Sequence, residues 1–333
     1  MRFPLHVTTD MIGHQLRQAL RGNRRYPFVL MLEPLYACNL ACLGCATERH
    51  TGKLADRLPL ATCLEALDDC GAPAVSICGG EPTLYPELPE LVAGIIGRRR
   101  HVYLCTNGLL LDERVFGRVP PHRRLTINVH LDGTRETHDR VCAREGVFDQ
   151  AVAAIADAKR RGYHILTNTT VFRETDVEEI DELCGLLAGL GVDGMLISPG
   201  YRYESVTRDL FLGREQMRRK FRRVLEISRR HRLTSTPMFL EFAAGLRDYG
   251  CSPWSTVTFT PRGWKGPCYL IGKTSTWSWD EFWTGTDWDY WESRQDALCQ
   301  NCAMHSGFEA SVVREARRSP RDMLRLAAWN LLG

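Results

Sequence analysis

Beyond residue 28 the chain alternates between short apolar runs and longer segments whose apolar positions recur at helical spacing. FVLMLEPL (28–35), AVSIC (74–78), HVYLC (101–105), LTINVHL (125–131), YHILTNTTVF (163–172) and GMLIS (194–198) read as strands. The segments near 59–71, 87–98, 147–161 and 176–190 read as helices between them. Several strands are apolar throughout, which suits a parallel sheet covered on both faces. Repeated βα units of this size predict an α/β fold built as a partial parallel (β/α)6 barrel. In such barrels chemistry gathers where strands end, and the unusual residues fall there. Cys38, Cys42 and Cys45 follow the first strand and Gly79-Gly80-Glu81-Pro82 the second. Cys105-Thr106-Asn107 and His130-Leu131-Asp132-Gly133 follow the third and fourth. Asn168 and Thr169 lie in the fifth, and Ser198-Pro199-Gly200-Tyr201 closes the sixth. One mouth is expected to collect them all.

The pattern divides the chain into an N-terminal helical segment (1–27), the barrel (28–245), a cysteine-rich module (246–308) and a C-terminal helix (309–333). A basic helix runs from Arg214 to Arg232. Its Arg218, Arg219, Lys220, Arg222 and Arg223 read as a solvated face, with anionic lipid as the other reading. Trp277, Trp279, Trp283, Trp288 and Trp291 read as the packing of a small metal-stapled module; an apolar substrate tunnel is the alternative.

Composition narrows the function classes. The chain of 333 residues is 44% hydrophobic and 25% charged, a globular mixture, and its net charge of +3 gives no ground for a nucleic-acid partner. No run approaches the ~18 apolar residues of a membrane span, and the start lacks the apolar core of a signal peptide. A cytoplasmic location is expected. Thirteen cysteines are many for that compartment, where clustered thiols bind metal or do redox chemistry. Cys63, Cys70, Cys142 and Cys184 stand singly and read as small buried hydrophobes.

Cys38-x3-Cys42-x2-Cys45 opens a loop after a buried strand. Three thiolates on a 4Fe–4S cluster leave one iron open to a ligand. Zinc is the rival, with His50 as a fourth ligand. An iron–sulfur or zinc-binding regulatory module would need the cysteines but not the glycine turn. Near the C-terminus Cys251, Cys268, Cys299 and Cys302 form a second set, and four thiolates there saturate a cluster or close a zinc site in which His305 could replace one.

The first cysteine set together with Gly79-Gly80-Glu81-Pro82 resembles the radical S-adenosylmethionine (SAM) superfamily. The resemblance implies that SAM chelates the open iron, that the glycine turn holds its methionine end, and that the reduced cluster cleaves the sulfonium to a 5′-deoxyadenosyl radical. Asn107, Asp132 and Asn168 become candidate SAM contacts, with Glu81 near the methionine amine. An external electron donor such as flavodoxin or ferredoxin is implied. The residue before the third cysteine is usually aromatic; here it is Gly44, so adenine must rely on other contacts. The C-terminal cysteines are similar to the auxiliary-cluster module of many such enzymes.

A narrower likeness covers most of the chain. Residues 25–35, 70–77, 102–107, 130–133, 197–204 and 263–270 resemble adenosylhopene-forming enzymes of hopanoid biosynthesis. That family adds the adenosyl radical to a terminal alkene and quenches the carbon radical with hydrogen, a role that falls on the Cys105 thiol. Departures lie at Ala46-Thr47-Glu48-Arg49-His50, at Cys78 and Thr83, and at Ser306, where the family carries other residues. They suggest a paralogue that abstracts hydrogen from a nucleoside sugar acid and so decarboxylates it, as in nucleoside antibiotic assembly. The expected substrate is therefore a small molecule, triterpene or sugar acid. Glu48, Arg49 and His50 would suit a polar one, and Tyr201, Tyr203 and Glu204 are further candidate substrate contacts.

Overall fold

The computed structural model describes residues 2–201, 206 and 209–332. Among the described residues nine strands form one sheet: β1 (Val29–Leu32), β2 (Ala74–Ile77), β3 (His101–Thr106), β4 (Leu125–His130), β5 (His164–Val171), β6 (Gly194–Pro199), β7 (Thr256–Thr260), β8 (Gly263–Pro267) and β9 (Gly272–Thr276). Their order is β6-β5-β4-β3-β2-β1-β7-β8-β9. The six expected strands are present and parallel; β6 ends the order and pairs beyond it only through a bridge at Met195–Leu233 among the described residues, so the barrel is partial and open.

β1 stops at Leu32, short of the expected residue 35. Pro34 has no N–H to continue the ladder, although Glu33 N still donates to Phe259 O at 2.9 Å. The unexpected element is β7. It pairs in parallel with β1 (Leu30 opposite Val257), and β8 and β9 continue antiparallel. The barrel sheet thus runs directly into the cysteine-rich segment.

Alternation fixes which face looks inward. Leu104, Ile127, Val129, Ile165 and Ile197 are fully buried against the helices. The intervening Ser76, Cys105, Asn128, His130 and Asn168 are half-buried on the opposite, lumenal face. The helices lie at Leu60–Cys70, Leu88–Gly97, Val147–Arg160 and Val177–Gly189, close to expectation. The basic helix ends at Ile227, where its buried stripe of Met217, Phe221, Val224 and Ile227 runs out. Arg218, Arg219 and Arg222 are exposed, while Arg223 pairs with Glu178 at 2.7 Å and Lys220 donates to Thr175 O. The C-terminal segment forms two helices, His305–Ala316 and Pro320–Leu332, because proline suits a first helical turn but not a continuing one. Trp264, Trp279, Trp283 and Trp288 pack as neighbours, with ring centroids 4.7, 5.0 and 5.1 Å apart in succession. That is a packed core beneath β8. Among the described residues no helix is long and apolar enough to cross a membrane.

Three histidines set an acid limit. His14 and His138 are 3% and 1% exposed, and burial pushes the pKa of each, and of His305, down to about 4 from 6.5. Between those values the unfolded chain binds more protons than the folded one, so stability falls as pH falls through that window, by about 2 kcal/mol per histidine at pH 5. Glu309 acts the other way: burial raises its carboxyl to about 7 from 4.5, so the folded state gains on acidification. It offsets about one histidine. A net loss of about 4 kcal/mol between pH 7 and pH 5 is expected in urea unfolding at constant metal content. Equal or greater stability at pH 5 would contradict this assignment.

Candidate functional site

The cysteine loop and the glycine turn pack backbone against backbone. Gly80 N donates to Leu35 O at 2.9 Å and Glu81 N to Ala37 O at 2.8 Å. A Cβ at Gly80 would lie 2.0 Å from Ala37 O, and one at Gly79, whose φ is +105°, would lie 2.4 Å from Leu35 O. Only glycine permits this approach. Glu81 is 2% exposed. Its Oε1 accepts from Thr83 N at 3.0 Å, Thr83 Oγ1 at 2.6 Å and Thr106 Oγ1 at 2.7 Å, and its Oε2 from Asn107 N at 2.9 Å. Burial raises the Glu81 pKa while these donors pull it back. The carboxylate therefore ties the turn to the end of β3. Asn107 Nδ2 in turn donates to Asn39 Oδ1 at 2.7 Å, anchoring the cysteine loop.

Cys38, Cys42 and Cys45 are half-buried within that loop. Leu40 N donates to Cys38 Sγ at 3.4 Å. Burial pushes the Cys38 thiol up to about 12 and the Cys45 thiol up to about 11. Cys42 is raised first by its hydrogen bond with Cys142 and then by burial. Such thiols stay protonated at neutral pH unless a metal displaces the proton. Among the described residues no three His, Cys, Asp or Glu side chains converge as a single ion requires.

Arg49 and Glu48 sit on helix Thr47–Thr51, beside this loop. The Arg49 guanidinium pairs with buried Glu33 at 2.6 Å and donates to Gly79 O. Its charge is matched inside the fold by Glu33. The side chain of His50, together with Tyr203 and Glu204, lies outside the described residues. The Phe172 ring occupies the space next to Gly44, where an added Cβ would lie 2.8 Å from Phe172 Cζ. An aromatic ring thus reaches the motif from the end of β5.

Below the loop the lumen is polar. Cys105 Sγ lies 3.3 Å from Ser76 Oγ and 3.7 Å from Asn128 Nδ2. Asn128 Oδ1 and Asn168 Oδ1 are buried without a hydrogen-bond partner among the described residues. Buried amide oxygens are rarely left so, and each is free to accept from a ligand. His130 Nε2 meets Asp132 Oδ2 at 2.7 Å, Asn168 Nδ2 lies 3.2 Å from His130 Nδ1, and Thr170 N donates to Asp132 Oδ1 at 2.7 Å. Burial opposes ionisation of both partners, yet the contact holds His130 above and Asp132 below their usual pKa values. Asp132 is therefore engaged within the protein.

The C-terminal cysteines also come together. Cys251, Cys268, Cys299 and Cys302 line one small cavity whose other walls include Leu270, Ile271, Trp291 and Phe308. A Cβ at Gly307 would lie 2.7 Å from Cys251 Sγ, so the thiol needs glycine there. Arg294 Nη2 donates to the carbonyls of Cys299 and Cys302 at 3.3 and 3.2 Å. Burial raises Cys299 to about 11 and Cys302 to about 12. Tyr201, expected near substrate, lines this same cavity and donates its hydroxyl to Leu298 O at 2.7 Å.

An open parallel barrel with three thiols at its mouth beside a glycine turn defines a class, and comparison with known proteins agrees. Residues 32–187 match the family described as the radical SAM superfamily, so the chain carries a radical SAM domain. Residues 195–326 match a domain of unknown function, DUF3463. Fe-coproporphyrin III synthase of Methanosarcina barkeri is 27% identical over 200 residues, 58% of this chain and 49% of that protein. Mycofactocin maturase MftC of Mycobacterium tuberculosis is 31% identical over 172 residues, 50% of this chain and 43% of that protein. The chain thus spans about half the length of the curated relatives it matches. Streptococcus suis SuiB, solved with its precursor peptide SuiA, superposes with a TM-score of 0.65 at 17% identity over 86% of this chain and 69% of its own, a likeness of fold. These matches establish the superfamily domain; the narrower hopanoid likeness is not established by them.

Proposed function

We propose that this protein is a radical SAM enzyme whose cluster is held by Cys38, Cys42 and Cys45 and whose substrate is a polar small molecule bound in the barrel lumen. The unpartnered amide oxygens of Asn128 and Asn168, beside the Cys105 thiol, carry this reading. A triterpene would leave both without a donor, at about 1–3 kcal/mol each. The bound cluster and SAM would supply one thing, reductive cleavage of the sulfonium to a carbon-centred radical. Everything else falls to the chain. Gly80 brings its backbone close to the cysteine loop and Glu81 fixes the turn. Phe172 offers adenine the ring that Gly44 lacks. Glu48 at the mouth stays a candidate substrate contact.

The four C-terminal thiols suit a second 4Fe–4S cluster: they are shielded by apolar walls and line a cavity without meeting at one point. Zinc is the alternative there. The electron comes from an external flavodoxin or ferredoxin, and a cytoplasmic site of action is part of the same proposal.

For the reaction, we favour hydrogen abstraction from a sugar acid, with loss of carbon dioxide, uptake of a solvent proton by the electron pair the carboxylate leaves behind, and release of 5′-deoxyadenosine. Cys105 then gives its S–H hydrogen to the remaining carbon radical, and the electron donor with a second proton restores the thiol. The second reading, addition of the adenosyl group to the terminal alkene of a hopene, draws on the same thiol position. Mass spectrometry of nucleosides and lipids separates the two. Free 5′-deoxyadenosine with unchanged diploptene is expected, and diploptene heavier by one deoxyadenosyl group would establish the second reading instead. Cys105→Ala should still cleave SAM but lose about tenfold or more in finished product. Normal turnover by that variant would remove Cys105 from the mechanism.

A further inference from the structure

One buried thiol beside the first cysteine set has no part in the reaction described above. Cys142 ends helix Arg135–Cys142, is 2% exposed, and packs with Leu40 and Val147 against Cys38 and Cys42. The helix is tied to the cysteine loop by Leu43 N, which donates to Val141 O at 2.8 Å. We propose that Cys142 is a positioning residue for the first cluster: its S–H donates to the sulfur of iron-bound Cys42 and raises the cluster's reduction potential. This rests on the reading of Cys38, Cys42 and Cys45 as cluster ligands.

The direction of the hydrogen bonds follows from one backbone group. Asp132 N–H can only donate, and it lies 3.1 Å from His138 Nδ1. That nitrogen is therefore the acceptor, and the ring proton sits on Nε2. Nε2 is 3.5 Å from Cys142 Sγ and donates to it. Burial keeps His138 neutral, with its pKa down to about 4, so the tautomer is fixed at working pH. Cys142 and Cys42 hydrogen-bond with each other. Once Cys42 ligates iron it has no proton to give, so Cys142 has to be the donor. The chain runs one way, from Asp132 N–H through His138 and Cys142 to the ligand sulfur.

A donor to a ligand sulfur stabilises the more negative, reduced cluster, and such bonds are among the levers that set cluster potentials. The chain places a side-chain donor of this kind on Cys42, while Cys38 Sγ accepts from the backbone N–H of Leu40.

The test is a redox titration of the reconstituted full-length protein, followed by electron paramagnetic resonance. The open-iron cluster is recognised by the change in its signal when SAM is added. In Cys142→Ala the oxidised-to-reduced ratio at fixed potential should rise about tenfold, a midpoint lower by about 59 mV for one electron. Cys142→Ser keeps a donor and should stay near the wild-type midpoint. Cys142→Val fills the volume without donating and should follow alanine, which covers the case in which the alanine cavity prevents cluster loading. A wild-type midpoint in Cys142→Val, or equal shifts in the serine and valine variants, would overturn the proposal and leave a packing role. Loss of the SAM-responsive signal in the wild-type protein would instead overturn the parent reading of the ligands.

Discussion

Glu81→Ala is expected to destabilise the protein by about 4 kcal/mol or more and to abolish SAM binding with it. Four donors converge on this one carboxylate: Thr83 N and Oγ1, Thr106 Oγ1 and Asn107 N. Alanine leaves them facing a cavity. Each buried donor without a partner costs about 1–3 kcal/mol, and neighbours sharing one cavity do not add fully. The sum is a large share of the 5–15 kcal/mol that a domain of ordinary stability possesses. A loss of roughly 10 °C in Tm should follow. Glu81→Gln keeps an acceptor for the threonines but turns an amide toward Asn107 N–H, so it should fall between the two. Wild-type melting of Glu81→Ala would show that water replaces the carboxylate and that the turn holds itself.

The second large effect is a reciprocal one on iron. The intact protein should bind about eight irons, four at each set of cysteines. Alanine at Cys38, Cys42 and Cys45 together should leave about four and no SAM cleavage. Alanine at Cys299 and Cys302 should also leave about four, while the cluster that cleaves SAM persists. Metal analysis and 5′-deoxyadenosine formation, measured on the same samples, check both halves. Zinc at the C-terminal site would appear directly in the metal analysis, with about four irons in the intact protein. SAM cleavage by the triple variant would refute the assignment of the first set.

The barrel strands were legible because their signal is local. Apolar runs such as Val102–Leu104 and Ile165–Leu166, bounded by turns, need no knowledge of partners. The two cysteine sets were legible because spacing alone brings thiols together. β7 to β9 were not. Thr256–Thr260 and Gly272–Thr276 are rich in threonine and glycine, and β9 is largely exposed, so neither shows an apolar run. β7 takes its place by pairing with β1 across a long stretch of chain, and β8 and β9 follow it as antiparallel neighbours.

Side-chain roles at the site were legible only as types. Glu81 was expected near the methionine amine, yet its oxygens are taken by the turn and by β3. Arg49 was a candidate for an acidic substrate, and the buried Glu33 that matches its charge lies on a different element. Cys142 looked like a lone core thiol, and only the packing of its helix on the cysteine loop brings it to Cys42. Phe172 carried no sequence signal toward Gly44. Each of these depends on contact between segments far apart in sequence, which neither periodicity nor spacing records.

The central claim is that the thiols of Cys38, Cys42 and Cys45 hold a cluster that cleaves SAM. Its most direct test is anaerobic reconstitution with iron and sulfide, followed by SAM, a strong reductant and quantification of 5′-deoxyadenosine. Formation of 5′-deoxyadenosine above a no-reductant control, lost in the triple alanine variant, is the predicted result. Protein with its full iron complement that leaves SAM intact under reduction would contradict the account.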